Sequence, residues 1–324
     1  MSLKKTVELI KKNNSFIVTS HTNPEGDALG SELAIACLLK KLGKSVVVIN
    51  EDDVPAPYRF LPGQENIKKY RYNPRRRFMF DCLVFVDCSD PRRTGEVYRI
   101  NIENKPVLNI DHHISNERFG TVNWVEPYAS STAEMLYRLY RAFRVPFDWE
   151  AALCLYAGMM SDTGSFRYSN TGSATHRAVS ELLKYGVDTV QVYKNVYEDI
   201  PFEDIRLLLK ILPTIHREMN GRLVWFQLSH NLLRNKKLTF DLTEELLSFA
   251  RSIQGVEACV LFKENLGVIN EVRINLRSQG KVDVNKIAAC FGGGGHKTAS
   301  GATIHGRIDA VRKKVLAKIR ENLQ

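Results

Sequence analysis

Residues 15–32 read SFIVTSHTNPEGDALGSE. The first six form a short apolar run rich in β-branched residues, which is the pattern of a buried strand. A helical spacing of apolar residues begins at Ala28 and runs to Leu42. The turn between them holds His21, Glu25 and Asp27, together with Pro24 and Gly26. A strand that runs through such a turn into a helix is the repeating unit of an open α/β sheet. In that architecture ligands bind in the crevice beyond the carboxyl ends of the strands.

The pattern repeats outward from this unit. SVVVIN (45–50), CLVFVD (82–87) and VLNID (107–111) read as further buried strands, and 132–143, 149–160 and 173–185 carry helical periodicity. Strands that alternate with helices predict a mainly parallel sheet with helices on both faces. Residues 204–212 read as another helix, ended by Pro213. After it LVWFQLS (223–229), EACVLFKE (257–264) and VINEVRINLRS (268–278) read as strands of a second sheet. Helices are expected at 242–252 and 285–290, with a hairpin turn around Asn265 and Gly267. The expected organisation is an α/β domain over 1–198, a linker helix over 199–216 and a smaller α/β domain over 217–324, with a cleft between the two domains.

Composition narrows the function classes. The chain of 324 residues is 44% hydrophobic, enough for a sizeable core split over two domains. It has no long uncharged apolar run of membrane-span type and no signal-peptide stretch at the N-terminus. The six cysteines are scattered without a CxxC pair, which fits buried free thiols in a reducing cytoplasm. Residues 1–216 carry 28 Lys+Arg against 26 Asp+Glu, a net of +2. Residues 217–324 carry 18 against 10, a net of +8. A basic second domain suits a polyanionic partner, although the basic residues of 312–320 are equally a solvated helix face.

Four segments carry candidate chemistry. They are the turn with His21, Glu25 and Asp27; VFVDCSDPRRTG with Asp87; NIDHHISN with Asp111, His112 and His113; and GMMSDTGSFRYSNT with Asp162. The first three begin at or just beyond a predicted strand end, so one sheet edge gathers them. Carboxylates crowded this way repel one another unless cations neutralise them. Imidazole with carboxylate suits Mn²⁺, with Mg²⁺, Co²⁺ and Zn²⁺ as competitors. A pair of such ions about 3.5–4 Å apart is the device of two-metal hydrolysis of phosphate esters. Any one of these aspartates alone reads equally well as a helix cap.

In order and content the segments resemble the motifs of the DHH phosphoesterase superfamily, which includes RecJ-type exonucleases, family II pyrophosphatases and the smaller bifunctional oligoribonuclease/pAp phosphatases. The resemblance implies one divalent metal on His21, Glu25 and Asp87. It implies a second on Asp27, Asp87, His112 and Asp162, with Asp87 bridging. It further implies that His113 faces the phosphate and that Asp111 orients the imidazoles. One departure stands out: the family pattern HxxPDGD is here HTNPEGD, so Glu25 replaces the usual aspartate and reaches one methylene further.

The segment FGGGGHKTASGA (291–302) follows in the second domain. Four glycines with open amides, then His296 and Lys297, suit a phosphate or ribose. The segment is similar to the GGGGH motif of the DHH-associated domain, and LRSQG resembles that domain's RS strand. By this resemblance Arg277, Ser278, Gly292, Gly293, Gly294, Gly295, His296 and Ser300 bind substrate. Arg75, Arg76 and Arg77 lie in a basic-aromatic stretch that reads mainly as a solvated loop. Arg92 or Arg93 lies within reach of a phosphate near Asp87.

The expected activity is metal-dependent hydrolysis of very short RNA or DNA oligonucleotides, of a nucleotide bisphosphate such as pAp, or of both. The enzyme alternatives are a linear or cyclic dinucleotide phosphodiesterase and an exopolyphosphatase, and the non-enzyme alternative is a nucleotide-binding regulator with a decayed site. No membrane partner is expected, and a homodimer is compatible with this reading.

Overall fold

The computed structural model describes residues 2–71, 73, 77–198, 200–229, 242–264 and 267–323. The chain packs as two compact units, Met1–Asp199 and Ile200–Gln324. In the first unit α1 (Ser2–Lys12) precedes β1 (Ser15–Thr19), α2 (Gly26–Lys41), β2 (Ser45–Asn50), β3 (Lys68–Lys69), β4 (Cys82–Val86), β5 (Val107–Asp111) and β6 (Val122–Val125). Four helices follow: α3 (Thr132–Phe143), α4 (Trp149–Asp162), α5 (Ser173–Leu182) and α6 (Thr189–Tyr197). The six strands form one sheet in the order β3-β2-β1-β4-β5-β6, and every pairing is parallel. The chain moves outward from β1 through β2 and β3, then returns to place β4 on the other side of β1. The β1/β4 junction is therefore the topological switch point, where the loops leaving two adjacent strands diverge and open a crevice.

The two faces of the sheet are covered unequally. Phe16, Val18, Val84, Val86, Leu108 and Ile110 pack into a core shared with α2, α3 and α4. The alternating residues Ile17, Ile49, Leu83 and Phe85 point the other way. There they meet Val97 and Ile100 from a short 3-10 turn, with Tyr70, Phe80 and Cys88 from connecting loops.

α2 and α4 are apolar almost all round, which is the signature of a helix buried on every side. From Gly26 to Ala36 every residue of α2 is buried, and so is every residue of α4 from Ala151 to Met160. Glycines set how closely these helices approach. A Cβ on Gly30 would sit 2.4 Å from the Cys154 carbonyl oxygen, and one on Gly26 would sit 2.6 Å from Ser161 Cβ. A Cβ on Gly158 would fall 2.7 Å from Ala133 Cβ and 3.0 Å from Asp27 Oδ1. These three positions bring the start of α2, the end of α4 and the start of α3 together, and the start of α2 and the end of α4 carry Asp27 and Asp162.

The second unit contains α7 (Phe202–Ile211), β7 (His216–Glu218), β8 (Leu223–Leu228), α8 (Leu242–Ser252), β9 (Ala258–Glu264), β10 (Glu271–Ser278), α9 (Val284–Ala289), β11 (Gly294–Gly295), β12 (Ala299–His305) and α10 (Ile308–Leu323). Its sheet runs β11-β12-β10-β9-β8-β7 and is antiparallel except between β8 and β9. The stretch read as a linker helix does not stand free: Leu207, Leu208 and Ile211 of α7 are buried with Val224, Phe226 and Leu261 of this sheet. Asn265, the first residue of the expected hairpin turn, lies outside the described residues.

The glycine segment differs from its sequence reading in a way that matters. The Gly292 and Gly293 amides donate to the Ala289 and Ala288 carbonyls and close the end of α9. Gly294 and Gly295 pair with Gly301 and Ser300. His296 and Ala299 exchange backbone hydrogen bonds at the tip. The segment is a tight β-hairpin, and the Gly292 and Gly293 amides that looked open are used by the fold.

The glycine contacts give a test. Gly30→Ala should lower stability to urea by about 1–3 kcal/mol, the usual cost of overpacking, because the Cys154 carbonyl belongs to helix backbone and cannot swing aside. Gly43→Ala, with nothing within 4 Å of the added methyl but a φ of +72°, should cost about 1 kcal/mol through backbone strain alone.

Candidate metal centre

Each element delivers a candidate ligand for a reason visible in the sequence. β1 ends at Thr19 and leaves His21 just beyond it, β4 ends one residue before Asp87, and β5 ends on Asp111 with His112 and His113 following. Asp27 lies in the first turn of α2 and Asp162 is the last residue of α4. Asp87 has a φ of +53°, a left-handed conformation that turns the chain sharply as it leaves β4. Asn23, Ser165 and Phe166 are left-handed too, at φ values of 53°, 58° and 64°. Such residues cost of order 1–3 kcal/mol each and concentrate at functional sites; here they occupy three of the four loops that carry the candidate ligands.

The geometry centres on His112. Its Nε2 lies 3.8 Å from Asp27 Oδ2 and 3.6 Å from both Asp87 Oδ1 and Asp162 Oδ2. Atoms that each lie about 2.0–2.2 Å from one ion fall within such separations of one another, so the donor set fits a divalent cation. Asp27, Asp87 and His112 satisfy this as a compact group of buried residues. His21 Nε2 lies 3.6 Å from Asp87 Oδ2, on the other oxygen of that carboxylate. Asp87 thus faces histidines through both oxygens, as a bridging ligand must.

Both imidazoles are set in the ligating tautomer. His112 Nδ1 is 3.2 Å from the Ala129 carbonyl oxygen and His21 Nδ1 is 2.8 Å from the Thr22 carbonyl oxygen. A carbonyl can only accept, so each Nδ1 carries a proton, and Nε2 is the nitrogen that offers a lone pair once the ring is neutral. Asp111 serves one imidazole rather than two. Its Oδ1 accepts from His113 Nδ1 at 2.7 Å and from the His112 backbone N–H at 2.9 Å, while Oδ2 accepts from Asn116. The His112 ring is oriented by Ala129, a contact with no sequence signature.

The charges are strongly perturbed. Burial pushes the Asp27 carboxyl well above the usual range, the Asp87 charge adds to this, and His112 opposes it. Burial also raises Asp162. At Asp87 burial acts upward, but the His21 hydrogen bond and the charges of His113 and His112 outweigh it and drive the group far below the ordinary carboxylate value. Burial would lower His112, yet Asp162, Asp87 and Asp27 lift it to about 9. These are the opposed shifts expected where carboxylates and imidazoles crowd into one buried site.

Two further devices escaped sequence reading. The Thr132 and Ala133 amides at the start of α3 donate to Asp27 Oδ2 and Oδ1 at 2.7 and 2.9 Å, and the Thr132 hydroxyl donates to Asp87 Oδ1 at 3.1 Å. The helix N-terminus therefore compensates negative charge, with Ser131 as its cap. Asn170 donates to Asp162 Oδ2 and to the Ser130 carbonyl, tying the α4 ligand to the α3 cap. The serine-rich start of α3 was the available signal.

Not every candidate residue joins this cluster. Glu25 stands at the exposed N-cap position of α2 without a side-chain capping bond and is in none of the compact donor groups among the described residues. In the second unit Arg277 pairs with Glu244. Ser278 is 1% exposed, and its hydroxyl donates to the Val282 carbonyl. The Ser300 hydroxyl donates to the His296 carbonyl at 2.7 Å. Both serines hold turns, which accounts for their presence without a substrate.

Two outcomes follow. Asp87→Ala should abolish turnover and lower metal content while the circular dichroism spectrum stays native; full metal loading with retained activity would remove Asp87 from its bridging position. His112 must also lose its proton to ligate. Metal affinity measured by calorimetry should therefore rise by up to about tenfold per pH unit and level off above a pH of about 9, with protons released on binding. A flat profile between about pH 6 and 9 would contradict the His112 assignment.

Comparison with known proteins identifies the family. The DHH family, N-terminal domain, matches residues 15–159, and the DHHA1 domain matches 230–323. The bifunctional oligoribonuclease and PAP phosphatase NrnA of Thermus thermophilus is 32% identical over 94% of this chain and 89% of its own length. The cyclic-di-AMP phosphodiesterase GdpP of Bacillus subtilis is 30% identical over 92% of this chain but only 46% of its own length. The crystal structure of an exopolyphosphatase-related protein from Bacteroides fragilis superposes with a TM-score of 0.84 at 26% identity, covering 99% of this chain and 95% of that one. With a DHH domain matched in its first part, a DHHA1 domain following in sequence and a near full-length relative at 32% identity, the chain belongs to the DHH family of phosphoesterases, in the branch of the bifunctional oligoribonuclease and PAP phosphatases.

Proposed function

We propose that this chain hydrolyses very short oligonucleotides to mononucleotides and pAp to AMP and phosphate, using two divalent ions, with Mn²⁺ the ion best suited to the donors. The observation that carries the reading is the fan of three carboxylates at 3.6–3.8 Å around His112 Nε2, placed at the switch point of a parallel sheet. The near full-length match to an oligoribonuclease and PAP phosphatase supports the substrate class.

His21, Glu25 and Asp87 are assigned to one ion, and Asp27, Asp87, His112 and Asp162 to the other. Such ions supply Lewis-acid polarisation of the phosphoryl oxygens and an activated water. The chain does the rest. Asp111, itself held by Asn116, fixes the His113 ring through Nδ1, and Nε2 is the atom we assign to the phosphoryl group. The α3 amides and the Thr132 hydroxyl keep Asp27 and Asp87 in place as charge shifts during the reaction. In the second unit His296 and Arg277 are the side chains we assign to substrate binding.

A second reading, cleavage of a cyclic dinucleotide, is favoured by the match to GdpP, although the chain spans less than half of that protein. One screen with Mn²⁺ separates the readings: pAp, a linear dinucleotide, cyclic di-AMP and a twenty-nucleotide RNA. The dinucleotide and pAp should be cut much faster than the long RNA. Equal rates per end for dimer and twenty-mer would refute the small-substrate reading, and exclusive cleavage of cyclic di-AMP would install the second one.

A further inference from the structure

Among the arginines singled out in VFVDCSDPRRTG, the structure separates two neighbours. Arg92 is committed. Asp90 Oδ1 and Oδ2 accept from its Nε, Asp90 Oδ2 accepts from its Nη2 at 2.7 Å, and Glu117 lies 3.3 Å away on its other side. Arg93 has no carboxylate within ion-pair distance among the described residues. Its one side-chain hydrogen bond there runs from Nη1 to Ser89 Oγ at 3.3 Å. Ser89 is 6% exposed and lies two residues past Asp87.

The backbone fixes Arg93 at the mouth of the switch-point crevice. Its carbonyl accepts from the Thr22 N–H at 2.7 Å, so the 3-10 turn Pro91–Thr94 after β4 is stitched to the loop after β1, one residue from His21. The cationic side chain is felt at the site: its charge opposes the net upward shifts of His21 and Cys88. An arginine anchored one hydrogen bond from the His21 loop, with no carboxylate in ion-pair distance among the described residues and one hydroxyl contact, keeps guanidinium donors available for another anion. Guanidinium matches phosphoryl oxygens in charge and geometry.

We infer that Arg93 binds a non-bridging oxygen of the phosphoryl group being hydrolysed and stabilises the charge that develops on it. This rests on the phosphoesterase reading of the same site. The two divalent ions would offset the carboxylates, which leaves the Arg93 charge to act on the substrate. Arg92, one residue away, is held in its own ion pairs and serves as an internal control.

The test uses the full-length Mn²⁺-loaded protein as wild type, Arg93→Ala, Arg93→Lys and Arg92→Ala. Removing a donor aimed at developing charge typically costs about 10²–10³-fold in kcat. Arg93→Ala should lose about that factor on both pAp and bis(p-nitrophenyl) phosphate with metal content unchanged, Arg93→Lys should lose less, and added guanidinium should restore part of the Ala variant's activity. Arg92→Ala should stay near wild type. An unchanged rate on the generic ester with only KM for pAp raised would overturn the assignment, because the guanidinium would then serve a distal phosphate. Loss of metal from Arg93→Ala would overturn it as well, making Arg93 part of the scaffold. Inorganic phosphate binding to the Mn²⁺-loaded proteins reads the contact without turnover: Arg93→Ala should bind at least about tenfold more weakly, and equal affinity sinks the proposal. Should the wild type cleave neither substrate, the phosphate measurement still decides the Arg93 contact, while the activity reading fails separately.

Discussion

Asp27, Asp87, Asp111 and Asp162 share one crevice, and three of them are almost fully shielded from water. Unscreened repulsion between such groups is the constraint to which the first unit is built. Each carboxylate has its own compensation. Asp27 takes the amides at the start of α3, Asp87 faces histidines from both sides, Asp111 is saturated by His113, Asn116 and a backbone amide, and Asp162 keeps an edge toward solvent. Two histidines present Nε2 because backbone carbonyls hold their Nδ1 protons. An arrangement that holds negative charge this tightly, with ligand atoms at common distance, is matched to multivalent cations and, through them, to a phosphoryl group.

The scaffold explains why that crowding is reproducible. A parallel sheet with a switch point sends adjacent strand ends toward the same crevice but their following loops in opposite directions. Space opens there without any residue being removed. The helices then close from one side, and their approach is limited by backbone because Gly26, Gly30 and Gly158 leave no side chain between them. The left-handed residues Asp87, Asn23, Ser165 and Phe166 lie in the loops that adjoin these elements, and α2 and α4 are buried along most of their length.

The second unit shows how one sequence signal can have two physical meanings. Four consecutive glycines look like a loop that leaves amides free for an anion. In the fold the same glycines close a helix and form one arm of a hairpin, and the close pairing also needs them: a Cβ on Gly293 would meet the Gly301 carbonyl oxygen at 2.1 Å. Ser278 and Ser300, chosen for their hydroxyls, turn out to hold the turns around that hairpin. Glycine and serine are common to tight backbone packing and to phosphate binding for the same reasons, small size and local hydrogen bonding.

The sequence by itself determined the α/β alternation and the identity of the metal-ligand candidates. Strand periodicity, turn residues and ionisable groups are local properties, and His21, Asp27, Asp87, His112 and Asp162 each follow directly from the segment that carries them. Only the tertiary structure decided how those segments meet. The Ala129 carbonyl that sets His112, the α3 amides that hold Asp27, the Asn170 link to Asp162 and the different fates of Arg92 and Arg93 all join residues remote in sequence or differ by the direction of one side chain. Backbone carbonyls and amides have no residue identity, so their use as ligands to side chains leaves no trace in a string of letters. Their positions exist only once the helices have packed on the sheet.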